Sequence, residues 1–220
     1  MVFNVRARSD EAKRERREQI LAAALTLWQT HRYPDLTLNA IATGVGVTKA
    51  ALFAYFPSKE DLFLSLYETL LGDWFAALDR HLRLGGTHTP ESLARTVTAL
   101  TLERQNLTRL IPLLAGILEH NITPERALTH KTWIAGHLAQ TTPLLEAALP
   151  GLPAGGGARL LTYTQALIAG LQPMSDPSPA VRDALSGTEL AALHLQLDAV
   201  LPDALTALYR GLVTPPPGTA

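Results

Sequence analysis

Cysteine is absent from the 220 residues, which excludes disulfides and thiolate metal sites and suits a reducing cytoplasm. β-Branched residues are few beside the abundant Leu and Ala, so helix is favoured over sheet. No apolar run approaches the roughly 18–20 residues that a helix needs to cross a bilayer. Met1 to Glu18 is charged and has no apolar core, so it does not read as a secretory signal. The expectation is a soluble, cytoplasmic protein with no membrane partner. No nucleophile–base constellation and no His-Glu-x-x-His appear. The run Gly155-Gly156-Gly157 lacks the lysine, spacing and preceding strand of a phosphate loop and reads as a turn. No catalytic residue, cofactor or metal is therefore expected.

What is present is an apolar fraction of 47%, enough at this length to bury a real core. The net charge of −1 hides an asymmetry. Residues 1–60 carry nine Lys/Arg against six Asp/Glu, whereas residues 61–220 carry ten against fourteen. That is the division expected when only the first module faces a polyanion.

Apolar spacing predicts a helix over 10–31, with Ile20, Ala24, Leu27 and Trp28 on one stripe, ended by Tyr33-Pro34-Asp35. Thr37 caps a short helix over 38–43 whose Ile41 and Ala42 point inward, and Gly44 and Gly46 bracket a turn. Thr48 caps a second short helix over 49–55, which Pro57 ends. Ser58 with Asp61 resembles a capping box and opens a long helix bearing Leu62, Phe63, Leu66, Leu70 and Trp74. Further helices are expected near 89–104, 107–120, 124–148, 155–172 and 188–211, with breaks at 121–123, 150–157 and 173–179. Pro112 falls early enough in its helix to be tolerated, and Pro202 should kink or break the last one. Residues 214–220 read as a disordered tail.

Two short helices about a Gly-bearing turn, ending in basic, hydroxyl and aromatic residues, place one helix in the major groove of DNA. A helical hairpin in an unrelated bundle is the alternative, disfavoured because caps, turn and aromatics all fall in register. Thr37, Ile41-Ala42, Gly46-Val47-Thr48-Lys49, Leu52, Tyr55-Phe56 and Pro57-Ser58-Lys59-Glu60-Asp61-Leu62 resemble the N-terminal signature of TetR-type transcriptional regulators. The likeness covers roughly residues 12–75. It implies an all-α fold: a three-helix helix-turn-helix domain at 1–56, then a larger helical ligand-binding and dimerisation domain at 57–213.

The resemblance further implies that Thr37, Thr48, Lys49, Tyr55 and Lys59 approach the DNA backbone, and that Lys49, Ala50, Ala51 and Ala54 face base edges. Hydroxyls, helix N-terminal amides and lysines suit phosphate. Ala50 and Ala51 can only touch a thymine methyl or allow close approach, so specificity would rest partly on DNA shape. Phe53 stands where a tyrosine is more usual and loses one hydroxyl; Arg32 stands where a glycine commonly ends the first helix. Lys13, Arg14, Arg16 and Arg17 read equally as phosphate contacts or as a solvated helix face.

Trp74, Leu114, Trp133, His137 and Tyr163 combine apolar bulk with polar tips, as a small-molecule pocket does, although each also suits core. His120, His130 and His137 lack the spacing of a metal site, and Glu119-His120-Asn121 reads as a helix-end cap. Leu160, Leu161, Leu167 and Gly170, with Leu190, Leu193, Leu197, Leu201 and Leu208, are either a dimer interface or intrachain core. The resemblance favours a homodimer reading half-sites roughly 34–36 Å apart or a multiple of it. The expected function is a dimeric repressor released from its DNA operator by a small apolar inducer. A helical small-molecule-binding or catalytic protein that does not bind DNA is the alternative.

Overall fold

The computed structural model describes residues 2–187 and 189–213. Ten α-helices lie among them and no strand: α1 Val2–Thr30, α2 Leu38–Val45, α3 Lys49–Phe53, α4 Lys59–Arg83, α5 Pro90–Leu102, α6 Gln105–Leu110, α7 Pro124–Ala148, α8 Gly156–Ser175, α9 Pro179–Leu185 and α10 Leu197–Val213. Tyr33–Asp35 and Glu189–Leu193 form 3-10 turns, and Leu114–Leu118 a π-helical turn. The expected tail at 214–220 lies outside the described residues.

The chain forms two compact units. One comprises Met1–Thr69 with Ala115–Ala127, the other Leu70–Leu114 with Leu128–Ala220. In the first, Ile20, Ala24 and Trp28 recur along α1 and are buried, as the 3.6-residue period requires. Ile41 and Ala42 of α2, Leu52 of α3, Phe56, Leu62 and Phe63 complete this core. Trp28 and Tyr33 meet the Phe63 ring edge-on at 6.0 and 5.1 Å, the geometry that aromatic quadrupoles prefer.

In the second unit α10 packs on α5 and α8. Leu93, Ala94 and Val97 meet a core that also holds Leu160, Leu161, Ile168, Leu201, Leu205 and Tyr209. Its buried polar groups are partnered where the chain supplies a neighbour: Tyr209 Oη and Thr164 Oγ1 lie 2.9 Å apart, and Thr141 donates to Asp79 at 2.7 Å. The glycine run is more than a turn. Gly155 takes the left-handed conformation, while Gly157 is buried in α8 where a Cβ would come within 2.8 Å of the Thr142 carbonyl oxygen.

Several expected elements are corrected. The helix expected over 107–120 stops at Leu110, because Pro112 lacks an N–H and its ring obstructs the preceding turn. The helix expected over 188–211 begins only at Leu197, and α9 forms just after the expected break at 173–179. α8 runs through Pro173, and α10 through Pro202 without breaking. A proline inside a helix costs about 3 kcal/mol. Burial of Leu201, Leu205 and Tyr209 on α10 offsets it, at about 1.5–3 kcal/mol for each large apolar side chain.

Candidate nucleic-acid interface

The helix-turn-helix is held by local chemistry. Thr37 Oγ1 accepts from the Ala40 amide and Thr48 Oγ1 from the Ala51 amide, both at 3.1 Å, so each short helix is capped as its sequence predicts. α2 ends at Gly46, whose φ of 71° admits few residues but glycine. The Gly46 amide bonds Thr43 and the Val47 amide bonds Ala42, the paired closure of a Schellman turn. Gly44, by contrast, is helical.

Thr37, Thr48, Lys49, Ala50, Ala51, Phe53 and Ala54 are all exposed, and Tyr55 is half-buried. Lys49 Nζ lies 5.6 Å from the centre of the Phe53 ring, a cation–π contact. Lys59 differs from the rest. Its ammonium donates to the Tyr33 carbonyl and sits over the Tyr33 ring, and burial pulls its pKa down. The residue expected at phosphate is engaged within the fold.

Arg17 was expected on a solvated face or at phosphate, and it is half-buried with its guanidinium engaged within the fold. Its guanidinium donates to the Tyr55 carbonyl and to Ser65 Oγ, both at 2.8 Å, and stacks 4.1 Å above the Phe56 ring. The sequence carried the signal, since Arg17 is in phase with Ile20, Ala24 and Trp28. Arg14, one residue-step out of that phase, pairs with Glu11 and Glu18 in solvent.

Ser65 joins Arg17 to a second guanidinium. Arg126, in the first turn of α7, donates to Ser65 Oγ at 3.2 Å, to Asp61 at 2.5 Å and to both Glu68 oxygens at 2.8 Å. The expected capping box is thus half made. Ser58 Oγ accepts from the Asp61 amide at 3.0 Å, but the Asp61 carboxylate goes to Arg126. Burial opposes the charge on Arg126, and the Glu68 and Asp61 hydrogen bonds outweigh it and raise its pKa. Burial lowers the pKa of Arg17, with Asp61 opposing. Nothing local in the sequence pointed to Arg126, whose partners lie 58 to 65 residues away.

Two family descriptions match this chain. Residues 20–66 match bacterial regulatory proteins of the tetR family, and residues 68–216 match the tetracyclin repressor-like C-terminal domain. The chain belongs to the TetR family. TetR family regulators are non-enzymatic DNA-binding proteins.

Among curated relatives, the HTH-type transcriptional regulator EthR of Mycolicibacterium smegmatis is 35% identical over 57 residues, 26% of each chain. The nucleoid occlusion factor SlmA of Escherichia coli O1:K1 is 44% identical over 63 residues, 28% of this chain and 32% of SlmA. The chain therefore spans a quarter to a third of the length of these relatives. A TetR family transcription regulator from Marinobacter aquaeolei is similar in structure, with a TM-score of 0.47 and 19% identity over 90% of this chain and 97% of that one.

In this TetR-family chain the residues expected at a pocket divide. Trp74 and Leu114 are buried in the second unit. His137 stacks on Phe75 at 4.8 Å, Trp133 meets His137 edge-on at 4.3 Å, and Trp74 meets Phe75 at 5.4 Å. His137 also lines an open pocket of about 490 Å³ with Asp79, Arg80, Arg83 and Gln140. Tyr163, however, is 45% exposed. Among the described residues no three His, Cys, Asp or Glu side chains form a group able to hold a metal ion. No described helix is long and apolar enough to cross a membrane.

The expected dimer leucines divide as well. Leu160, Leu161 and Leu201 are buried in the chain's own core, because the same stripes that suit a partner helix pack α8 and α10 together. Leu190 and Leu193 are exposed on the turn before α10. The outward stripe of α8 is Arg159, Tyr163, Ala166, Gly170 and Met174.

Proposed function

We propose that this chain is a homodimeric repressor that a small apolar ligand releases from its operator. Thr37, Thr48, Lys49 and Tyr55 contact the DNA backbone, and Ala50, Ala51, Phe53 and Ala54 meet the groove. The observation that carries this reading is the guanidinium chain. Arg17 holds the Tyr55 carbonyl at the exit of the recognition segment, and Ser65 passes that hold to Arg126 at the start of α7. Helices α4 and α7 continue beyond it, into residues 74–75 and 133–137 of the aromatic cluster. A ligand among those aromatics that shifts α4 or α7 disturbs the hold on the recognition segment. Ligand and operator must then weaken each other by the same factor.

The dimer forms through the exposed stripe of α8, where Ala166 and Gly170 admit close approach and Tyr163 supplies apolar area. In the test, compounds that raise the melting temperature are titrated into the protein bound to an operator recovered from a random duplex library. Operator affinity should fall with compound, and compound affinity should fall equally with operator. A compound that binds tightly and leaves operator affinity unchanged overturns the release mechanism. Sedimentation should give a dimer that Gly170→Arg converts to monomer; a wild-type monomer overturns the assembly.

A further inference from the structure

The face that α3 presents is almost wholly apolar, and this determines what it can recognise. Successive residues of an α-helix step by about 100°. Leu52 is fully buried and fixes the inward direction. The direction opposite it falls between Ala50 and Ala54, flanked by Phe53 and Ala51. All four are exposed, Phe53 by 42% of its surface. Lys49 lies at the margin, nearer to Leu52, with its ammonium drawn over the Phe53 ring. Thr48 Oγ1 already accepts from the Ala51 amide. Beyond Lys49, this face has no side-chain hydrogen-bonding group.

In the major groove the base pairs present hydrogen-bond donors and acceptors, and the one alkyl group among them is the C5-methyl of thymine. An apolar face laid against G·C strips water from guanine O6 and N7 and cytosine N4 and offers them nothing in return. Laid against thymine, it gains the burial of a methyl group. We propose that Phe53, with Ala50 and Ala54 beside it, is a specificity-determining residue that reads thymine methyl groups. The phenylalanine is then a base-reading side chain in its own right, and not a tyrosine that has lost a phosphate contact. This rests on the DNA-binding reading of α3 and names the chemistry of its target: thymines in the base pairs under that helix.

The test uses the full-length protein and a duplex enriched from a random library. Each thymine of that duplex is replaced in turn by 2′-deoxyuridine, which removes only the methyl. At the positions under α3 the wild type should bind about fourfold more weakly for each methyl lost, the value of one buried methyl. Phe53→Ala should lose most of that difference, and Phe53→Tyr should keep it; circular dichroism checks that both fold. Equal affinity for the thymine and deoxyuridine duplexes overturns the proposal, and sequence preference that survives the replacement would be assigned to DNA shape. So does a deficit of the same size in Phe53→Ala. Failure to enrich any sequence, with no salt-dependent binding, overturns the DNA-binding reading and this inference with it.

Discussion

Arg126→Met removes the guanidinium that joins Asp61, Ser65 and Glu68, and keeps most of its apolar stem. The Arg126, Asp61 and Glu68 side chains are 17%, 11% and 19% exposed, so the carboxylates left behind are only partly hydrated. Removing one partner of a fully buried pair costs about 3–5 kcal/mol. Partial exposure lowers the expectation here to about 2–3 kcal/mol, since water can reach both carboxylates. For a chain of this length each kcal/mol moves the melting temperature by about 2–4 °C, so calorimetry should show a fall of about 5–10 °C. The triple replacement Asp61→Asn, Glu68→Gln, Arg126→Met removes the stranded charges and should recover most of the loss. Operator affinity should fall about fivefold or more, the lower end of typical coupling free energies. The slope of log affinity against log salt should not change, because the Arg126 guanidinium is committed to Asp61, Ser65 and Glu68. An unchanged melting temperature, or a salt slope smaller by about one, would refute the reasoning.

Gly46→Ala places a side chain at φ 71° with nothing within 4 Å, so the cost is backbone strain of about 1–2 kcal/mol without a clash; a raised melting temperature would contradict it. Gly157→Ala drives a Cβ against the Thr142 carbonyl and should cost about 1–3 kcal/mol in denaturant unfolding, whereas a neutral result would mean that α7 and α8 separate freely. Burial first, and the neighbouring His81 second, lower the pKa of His88 below its usual 6.5. The folded state then binds this proton less readily than the unfolded state, so stability is fully present above about 6.5 and lost as pH falls toward the folded pKa. Melting temperature should decline with acidification through that window, and less steeply in His88→Gln; an equal slope in the variant would remove His88 as the cause.

The first unit was legible in the sequence because its signals are local. Thr37, Thr48 and Gly46 act within four residues of themselves, and the Ile20–Ala24–Trp28 stripe needs only helical phase. The second unit was legible in its helical content but not in its boundaries. Pro112 and Pro202 have the same local chemistry and both lie among buried apolar residues, yet one ends a helix and the other is carried through, a difference that no local signal encodes. Leu160 and Leu201 illustrate the same gap: an apolar stripe fixes which face is buried, not which chain covers it. Arg126 was beyond reach, since a guanidinium in an α-helix carries no trace of a carboxylate sixty residues earlier.

Arg17, by contrast, was within reach, and its misreading explains why the network matters. A charge run invites a reading by composition, whereas helical phase sets Arg17 with the buried stripe and leaves Arg14 in solvent. An apolar residue at that position would bury more area at no desolvation cost, so stability alone does not account for an arginine. A guanidinium adds direction. Ser65 has one hydrogen and two lone pairs, and all are used: it donates to the Asp61 carbonyl at 2.9 Å and accepts from both Arg17 and Arg126. Apolar contacts tolerate sliding with gradual loss, but a saturated hydroxyl between two guanidinium groups does not. Any movement of the first turn of α7 against α4 must break a bond to Ser65, Asp61 or Glu68, and the same serine helps hold the arginine that fixes the Tyr55 carbonyl. Such an element responds in steps, which is what the proposed release of the recognition segment by a ligand requires.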